Sequence, residues 1–215
     1  MKIKKIGHCC LRIEEGEAVI LTDPGIFSTG QNEEKGIDAI LITHEHTDHL
    51  HIESLQKIIV NNPEVKIYCN SAVKKIAEKE NIECIEIKDG EIKEINGKSN
   101  KLKVESFSSN HADIYPSITP VWNSGFLIAE KLYLPGDALH NPGKKIDVLA
   151  APVVGPWLNI KDTIDYIKEI SPRIAFPIHD GFLSIPGPFH SVPKLILENS
   201  GIHFVVFEEG KEYEV

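Results

Sequence analysis

The segment Thr43-His44-Glu45-His46-Thr47-Asp48-His49 places three histidines and an aspartate within six positions, directly after an aliphatic run. In extended chain, residues i and i+2 face the same way, so His44 and His46 can aim at one point. As the chain turns toward the next helix, Asp48 and His49 can aim at a second. Neutral imidazole and carboxylate are borderline-to-hard donors that suit zinc, iron or manganese. A merely solvated turn needs no such density of donors behind a buried strand. Two metals need further ligands, and the remaining candidates also follow apolar runs. His111 comes after Leu102–Ser108, Asp137 after Leu132–Leu134, and His179 after Ile174–Ile178. Donors at strand ends along one edge are the geometry a two-metal site requires, and loops at such edges commonly carry function.

The elements that must position these donors alternate short apolar runs with helical patterns. Strands are expected at Ile3–Ile6, Cys10–Ile13 and Val19–Thr22, with Glu15-Gly16-Glu17 turning between the second and third. Ile37–Thr43 is aliphatic enough for a strand covered on both faces. A helix from about Ile52 to Val60 carries Ile52, Leu55, Ile58 and Ile59 on one stripe. Ser71 is placed to cap the next helix, with Ala72, Val73, Ile76 and Ala77 on its apolar face. Further strands are expected at Cys84–Ile87, Glu91–Ile95, Leu102–Ser108, Ser124–Ile128, Leu132–Leu134, Val148–Pro152 and Ile174–Ile178. Ile160, Ile164 and Ile167 mark a helix stopped by Ser171-Pro172. Ser191 should cap a last helix with Pro193 in its first turn and Gly201 beyond its end, before strands at Phe204–Phe207 and Lys211–Glu214. The order is β-rich first and βαβα later, with no repeat by sequence identity. It suits an α/β (α+β) protein built as two sheets with helices outside.

Length and charge narrow the function classes. At 215 residues, one domain spanning 1–215 is expected, long enough to bury a sizeable core. The formal charge of −9 disfavours a general nucleic-acid binder, because neutralising phosphates needs a basic face. No apolar run reaches membrane-spanning length, and the basic start Met1-Lys2-Ile3-Lys4-Lys5-Ile6 leads into polar sequence rather than a signal peptide. A cytoplasmic protein that does not engage membranes is the expectation, and a homo-oligomer is compatible with it. Cys9, Cys10, Cys69 and Cys84 lack finger-like spacing and sit in aliphatic stretches, which predicts reduced, buried packing rather than ligation.

The order Asp23, then His44-x-His46-x-Asp48-His49, then His111, Asp137 and His179 resembles the motif series of the metallo-β-lactamase superfamily. The likeness covers Gly7 to Gly181 and is specific as an ordered set. It is nearest to metal-dependent hydrolases similar to ascorbate-6-phosphate lactonase. Shared features are Gly7-His8-Cys9-Cys10, Asp23-Pro24, Pro152-Val153-Val154-Gly155-Pro156-Trp157, and the run from Ser171-Pro172 to Pro177-Ile178-His179. The resemblance implies a four-layer αββα sandwich of two mixed sheets with helices on the outer faces. It assigns His44, His46 and His111 to a first metal and Asp48, His49 and His179 to a second, with Asp137 bridging. Asp23 would stand behind the ligands and orient the histidine loop. The implied cofactors are two divalent ions, zinc ahead of manganese. With two carboxylates and a bridging hydroxide, the set keeps one formal positive charge and acidifies water. Asp48 and Asp137 are the catalytic carboxylates on this view.

The expected function is therefore hydrolysis of a small ester, lactone or phosphoester, with an anionic small molecule as one candidate substrate. Two alternatives share the fold: a non-catalytic metal-binding or sensor protein, and a nuclease or phosphodiesterase. The length leaves no room for the added domains of the nuclease relatives, and the flavodiiron branch has Glu where this chain has His46. Asp137 is followed by Ala138 where many relatives carry a hydroxyl. Around the site, His8 is a candidate for substrate contact or ligand support, and His140 for proton donation. His190, after Ile185-Pro186-Gly187-Pro188, and the aromatic residues Tyr115, Trp122 and Trp157 are candidate pocket walls. His51 reads as a helix-start surface residue and His203 as structural.

Overall fold

The computed structural model describes residues 1–97 and 101–215. Two seven-stranded sheets face each other. The first begins with β1 (Lys2–Gly7), β2 (Cys10–Glu15) and β3 (Ala18–Thr22) as an antiparallel meander. It continues in parallel through β4 (Ala39–Ile42), β5 (Lys66–Cys69) and β6 (Ile85–Glu86). The second sheet starts with β7 (Ile92–Asn96), β8 (Lys101–Asn110), β9 (Trp122–Ile128) and β10 (Leu132–Leu134), again antiparallel. β11 (Val148–Pro152), β12 (Ile174–Ile178) and β13 (His203–Phe204) extend it in parallel. The last strand, β14 (Glu212–Glu214), returns to pair with β1 at the edge of the first sheet. Each half thus repeats one plan, an antiparallel meander followed by βαβα, although the sequences share no visible repeat.

Period-two alternation builds the layers. Ile3, Leu11, Ile13, Ile20 and Leu41 point from the first sheet into a core shared with Phe126, Leu134, Val148, Ala150, Phe176 and Ile178 from the second. The alternate residues Leu21, Ile40, Ile42 and Ile67 face outward onto α1 (Ile52–Asn61) and α2 (Ser71–Lys79). On the other side, Tyr133, Leu149, Ala151 and Ala175 carry Ile164, Ile167 and Leu197 of α3 (Ile160–Ile170) and α4 (Gly187–Leu197). The result is the four-layer αββα sandwich. All four cysteines are free and buried, Cys9 in the shared core and the other three under α1 and α2. Among the described residues, no helix is long and apolar enough to cross a membrane.

Three local expectations are corrected. Asn70, not Ser71, caps α2, its side-chain oxygen accepting from the backbone N–H groups of Ala72 and Val73. The last helix starts at Gly187 rather than after Ser191, because Pro188 already presets its first turn, and Pro193 lies inside it. Of the expected strand Phe204–Phe207 only Phe204 pairs, joined by His203 before it. Phe207 instead stacks between Phe176 at 4.3 Å and Tyr213 at 4.2 Å, closing the end of the core.

Candidate metal centre

All seven expected ligands converge at the edge where β4, β8, β10 and β12 end. β4 runs out at Ile42, and Asp23 pins the loop that follows. Its Oδ1 accepts from the Thr43 backbone N–H at 2.8 Å, and its Oδ2 accepts from the Thr43 hydroxyl at 2.9 Å. The same Oδ2 is 2.9 Å from His49 Nδ1. Gly25 allows this approach, since a Cβ there would stand 1.7 Å from the Asp48 carbonyl oxygen. The rings of His111 and His179 are fixed the same way, Nδ1 lying 2.6 Å from the carbonyls of Ala112 and Val154 respectively. Holding Nδ1 with an oxygen acceptor fixes the tautomer and turns Nε2 toward the shared space.

Two groups of donors result. His44, His46, His111 and Asp137 form one, their ligand atoms all within 4.8 Å of each other, and Asp48, His49 and His179 lie together beside them with His8. Asp137 faces both groups: its Oδ1 is 3.1 Å from His49 Nε2, and its Oδ2 is 2.9 Å from His179 Nε2 and 3.4 Å from His111 Nε2. His49 Nε2, His179 Nε2 and Asp137 Oδ1 are buried without a hydrogen-bond partner. Buried polar atoms left so, aimed at common points, are what a cation-binding cluster requires and what a structural hydrogen-bond network would not leave. The donor set fits divalent ions.

His8 differs from its neighbours. Gly181 N–H donates to its Nδ1 at 3.1 Å, so the neutral ring carries its proton on Nε2, which lies 3.3 Å from Asp48 Oδ2. His8 is thus a hydrogen-bond donor to Asp48 rather than a metal ligand. Burial pulls its pKa down to about 4, keeping it neutral. Cys9 also approaches His49 and Asp137, but burial pushes its thiol well above the usual range, so it stays protonated.

The charges of the groups are unlike. Burial, reinforced by the charge on His49, holds His44 well below the ordinary imidazole value, and burial lowers His46 too. Burial also opposes charge on His49 and His179, yet Asp137 outweighs it, together with Asp23 at His49 and Asp48 at His179. His49 is raised well above the ordinary value and His179 to about 9. Burial alone would raise the carboxyls of Asp137 and Asp48, but the surrounding imidazoles hold both down. The centre draws positive charge toward His49 and His179. Backbone strain collects there as well: His8, Asp23 and His179 hold positive φ of 50°, 37° and 63°.

The other candidates separate. Trp157 packs edge-on to His111 at 5.5 Å and to His179 at 5.6 Å. Tyr115 and Trp122 are exposed in the segment after His111. His190 lies 2.8 Å from Asp180, whose other oxygen accepts from buried Lys5 at 2.6 Å; it braces the loop after His179 from behind. His140 is not brought to the centre. It lies on the outer face of the second sheet, with Nδ1 3.2 Å from the Tyr133 hydroxyl, because Tyr133 points outward in β10. Several contributors carry no motif of their own. Asn123 accepts from the Asp137 backbone N–H at 3.1 Å, which orders that loop without a hydroxyl at Ala138. Asn70 donates to the carbonyls of Thr43 and Trp122. Phe27 and Phe182 crowd His8, at ring distances of 5.2 and 5.7 Å.

An αββα sandwich whose strand ends gather histidines and aspartates around one carboxylate defines the metallo-β-lactamase fold. Residues 2–179 match the family model of the beta-lactamase superfamily domain, and the chain belongs to that superfamily. Protein Rv0786c of Mycobacterium tuberculosis is 33% identical over 190 residues, 86% of either chain. The UPF0173 metal-dependent hydrolase Ta0764 of Thermoplasma acidophilum is 28% identical over 197 residues, 83% of either chain. Among solved structures, the metallo-beta-lactamase fold protein YhfI of Bacillus subtilis superposes with a TM-score of 0.73 at 13% identity. That match covers 100% of this chain and 98% of that one.

Proposed function

We propose that this chain is a metal-dependent hydrolase that cleaves a small ester, lactone or phosphoester at a dinuclear centre. The observation that carries this reading is Asp137, whose two oxygens face both donor groups at 2.9–3.4 Å beside unpartnered buried nitrogens. His44, His46 and His111 would hold one divalent ion and Asp48, His49 and His179 the other, with Asp137 shared; zinc is favoured ahead of manganese. Such a pair supplies a water acidified to a pKa of about 7 and polarises a carbonyl or phosphoryl oxygen. The chain's own groups do the rest. Asp137 would offset part of the charge of the ions, since its two oxygens face both donor groups. His8 Nε2–H orients Asp48 toward the second donor group. Trp157 covers His111 and His179 and limits water on that side. The similarity to the Thermoplasma metal-dependent hydrolase supports the reading.

The test is turnover of nitrophenyl esters, simple lactones and a phosphodiester by zinc- or manganese-loaded protein, beside a chelator-treated control. Metal-dependent cleavage of at least one class is expected. A protein that holds both ions and cleaves none would favour the non-catalytic binder instead.

A further inference from the structure

The surface around the donors is apolar to a degree that the hydrolytic chemistry does not need. Among the described residues, twelve large hydrophobic side chains are exposed, and eight of them fall in segments 26–27, 114–122 and 182–185. All three segments leave from loops that carry the centre, after Asp23, His111 and His179. Phe27 and Phe182 lie 5.7 Å apart, and Phe182 is 5.7 Å from the His179 ring. Phe27 and Phe182 are 42% and 41% exposed, and Ile185 is 75% exposed. Apolar side chains left in water against a buried polar centre mark a surface that a bound molecule covers.

Charge narrows what that molecule can be. The ligand-bearing segments 7–10, 23–31, 43–51, 111–122, 153–159 and 179–190 contain no Lys or Arg. Lys5 lies beneath the centre, and its ammonium is spent on Asp180 and the Pro177 carbonyl. An anionic substituent away from the reacting group would find no Lys or Arg in these segments. A neutral apolar substituent would find aromatic faces in continuous contact with the ligand rings.

We propose that the substrate carries an uncharged apolar arm, an acyl chain or an aryl ring. The arm lies across Phe27 and Phe182, with exposed Ile185 three residues further along the same loop, while the ester or lactone group reaches the donors. This rests on the hydrolase reading and names its substrate class. The rings adjoin His8 and His179, so a molecule that covers them and reaches the centre must join the two in one small ligand.

The experiment is calorimetric titration of the metal-loaded protein with acetate, butyrate, hexanoate and octanoate, whose carboxylates mimic the acid product of ester cleavage. Affinity should rise about two- to fourfold per methylene through this series. Phe182→Ser and Ile185→Ser should each flatten the rise; Ile185 is so exposed that its replacement leaves the core intact. Equal affinity for acetate and octanoate, or an undiminished rise in both variants, would overturn the proposal. So would sedimentation showing the rim buried in a dimer, or octanoate-insensitive binding to neutral lipid vesicles through Phe182 and Ile185. The two readings fail separately. Length-dependent binding without cleavage of any ester removes only the catalytic reading, whereas ester cleavage without length preference removes only the apolar arm.

Discussion

The two halves of the molecule share a strand plan and use it differently. After the last strand of each meander comes an aspartate, Asp23 behind β3 and Asp137 behind β10. Asp23 is spent on the protein, bound to Thr43 and His49, while Asp137 faces the donors with an unpartnered oxygen. After the next strand, β4 delivers four donors in one loop, whereas β11 delivers none and offers the Val154 carbonyl to His179. One strand further, β5 ends on Asn70, which ties loops together, and β12 ends on His179. Equivalent positions thus divide into those that present donor atoms and those that aim them. A cluster of buried imidazoles and carboxylates needs both, because each ring left unheld would turn to satisfy itself elsewhere.

Breaking that division at its centre should have the largest effect. Asp137→Asn keeps the volume and removes the shared negative charge. Turnover of any cleaved substrate should fall by about a thousandfold, more than first-ion affinity falls on the same preparation. Rates and metal content measured together check this, and a two-ion Asp137→Asn protein with native rate would refute the sharing. Acid should come next, acting on one donor group more than the other. Asp137 and its neighbours favour a proton on His179, raised to about 9, and on His49, also raised, which an ion would have to displace; burial disfavours one on His44 and His46. Affinity at the Asp48–His49–His179 group should therefore drop about tenfold per displaced proton for each unit of pH lowered. The His44–His46–His111 group should respond less. Chelator competition at pH 8 and pH 6.5 would show two separated losses, and a joint loss would erase the distinction. Asp23→Asn should cost least, about tenfold in affinity at the His49 group, as supporting partners commonly do. A drop equal to that of Asp137→Asn would place the two aspartates in one role.

The legible parts of this protein are those with a local rule. The i, i+2 spacing of His44 and His46 and the aliphatic strand before them were sufficient to locate the first four donors. The later donors are single residues at strand ends, and only their order along the chain joined them. What stayed hidden depends on tertiary approach. His140 sits near Asp137 in sequence, yet outward-facing Tyr133 draws it to the opposite face of the sheet. Phe27 and Phe182 lie in Pro- and Gly-containing loops without periodicity, so nothing local signals that they meet over His8. The start of α4 escaped because two prolines compete to mark it, and Pro188 wins over Pro193.

Two donor groups that share one carboxylate should hold two ions. Elemental analysis of the purified chain after saturation with zinc or manganese and removal of free metal tests it most directly. Two ions per chain are predicted for the native protein, and one each for His46→Ala and His49→Ala. A ceiling of one ion per native chain under saturating metal would contradict it.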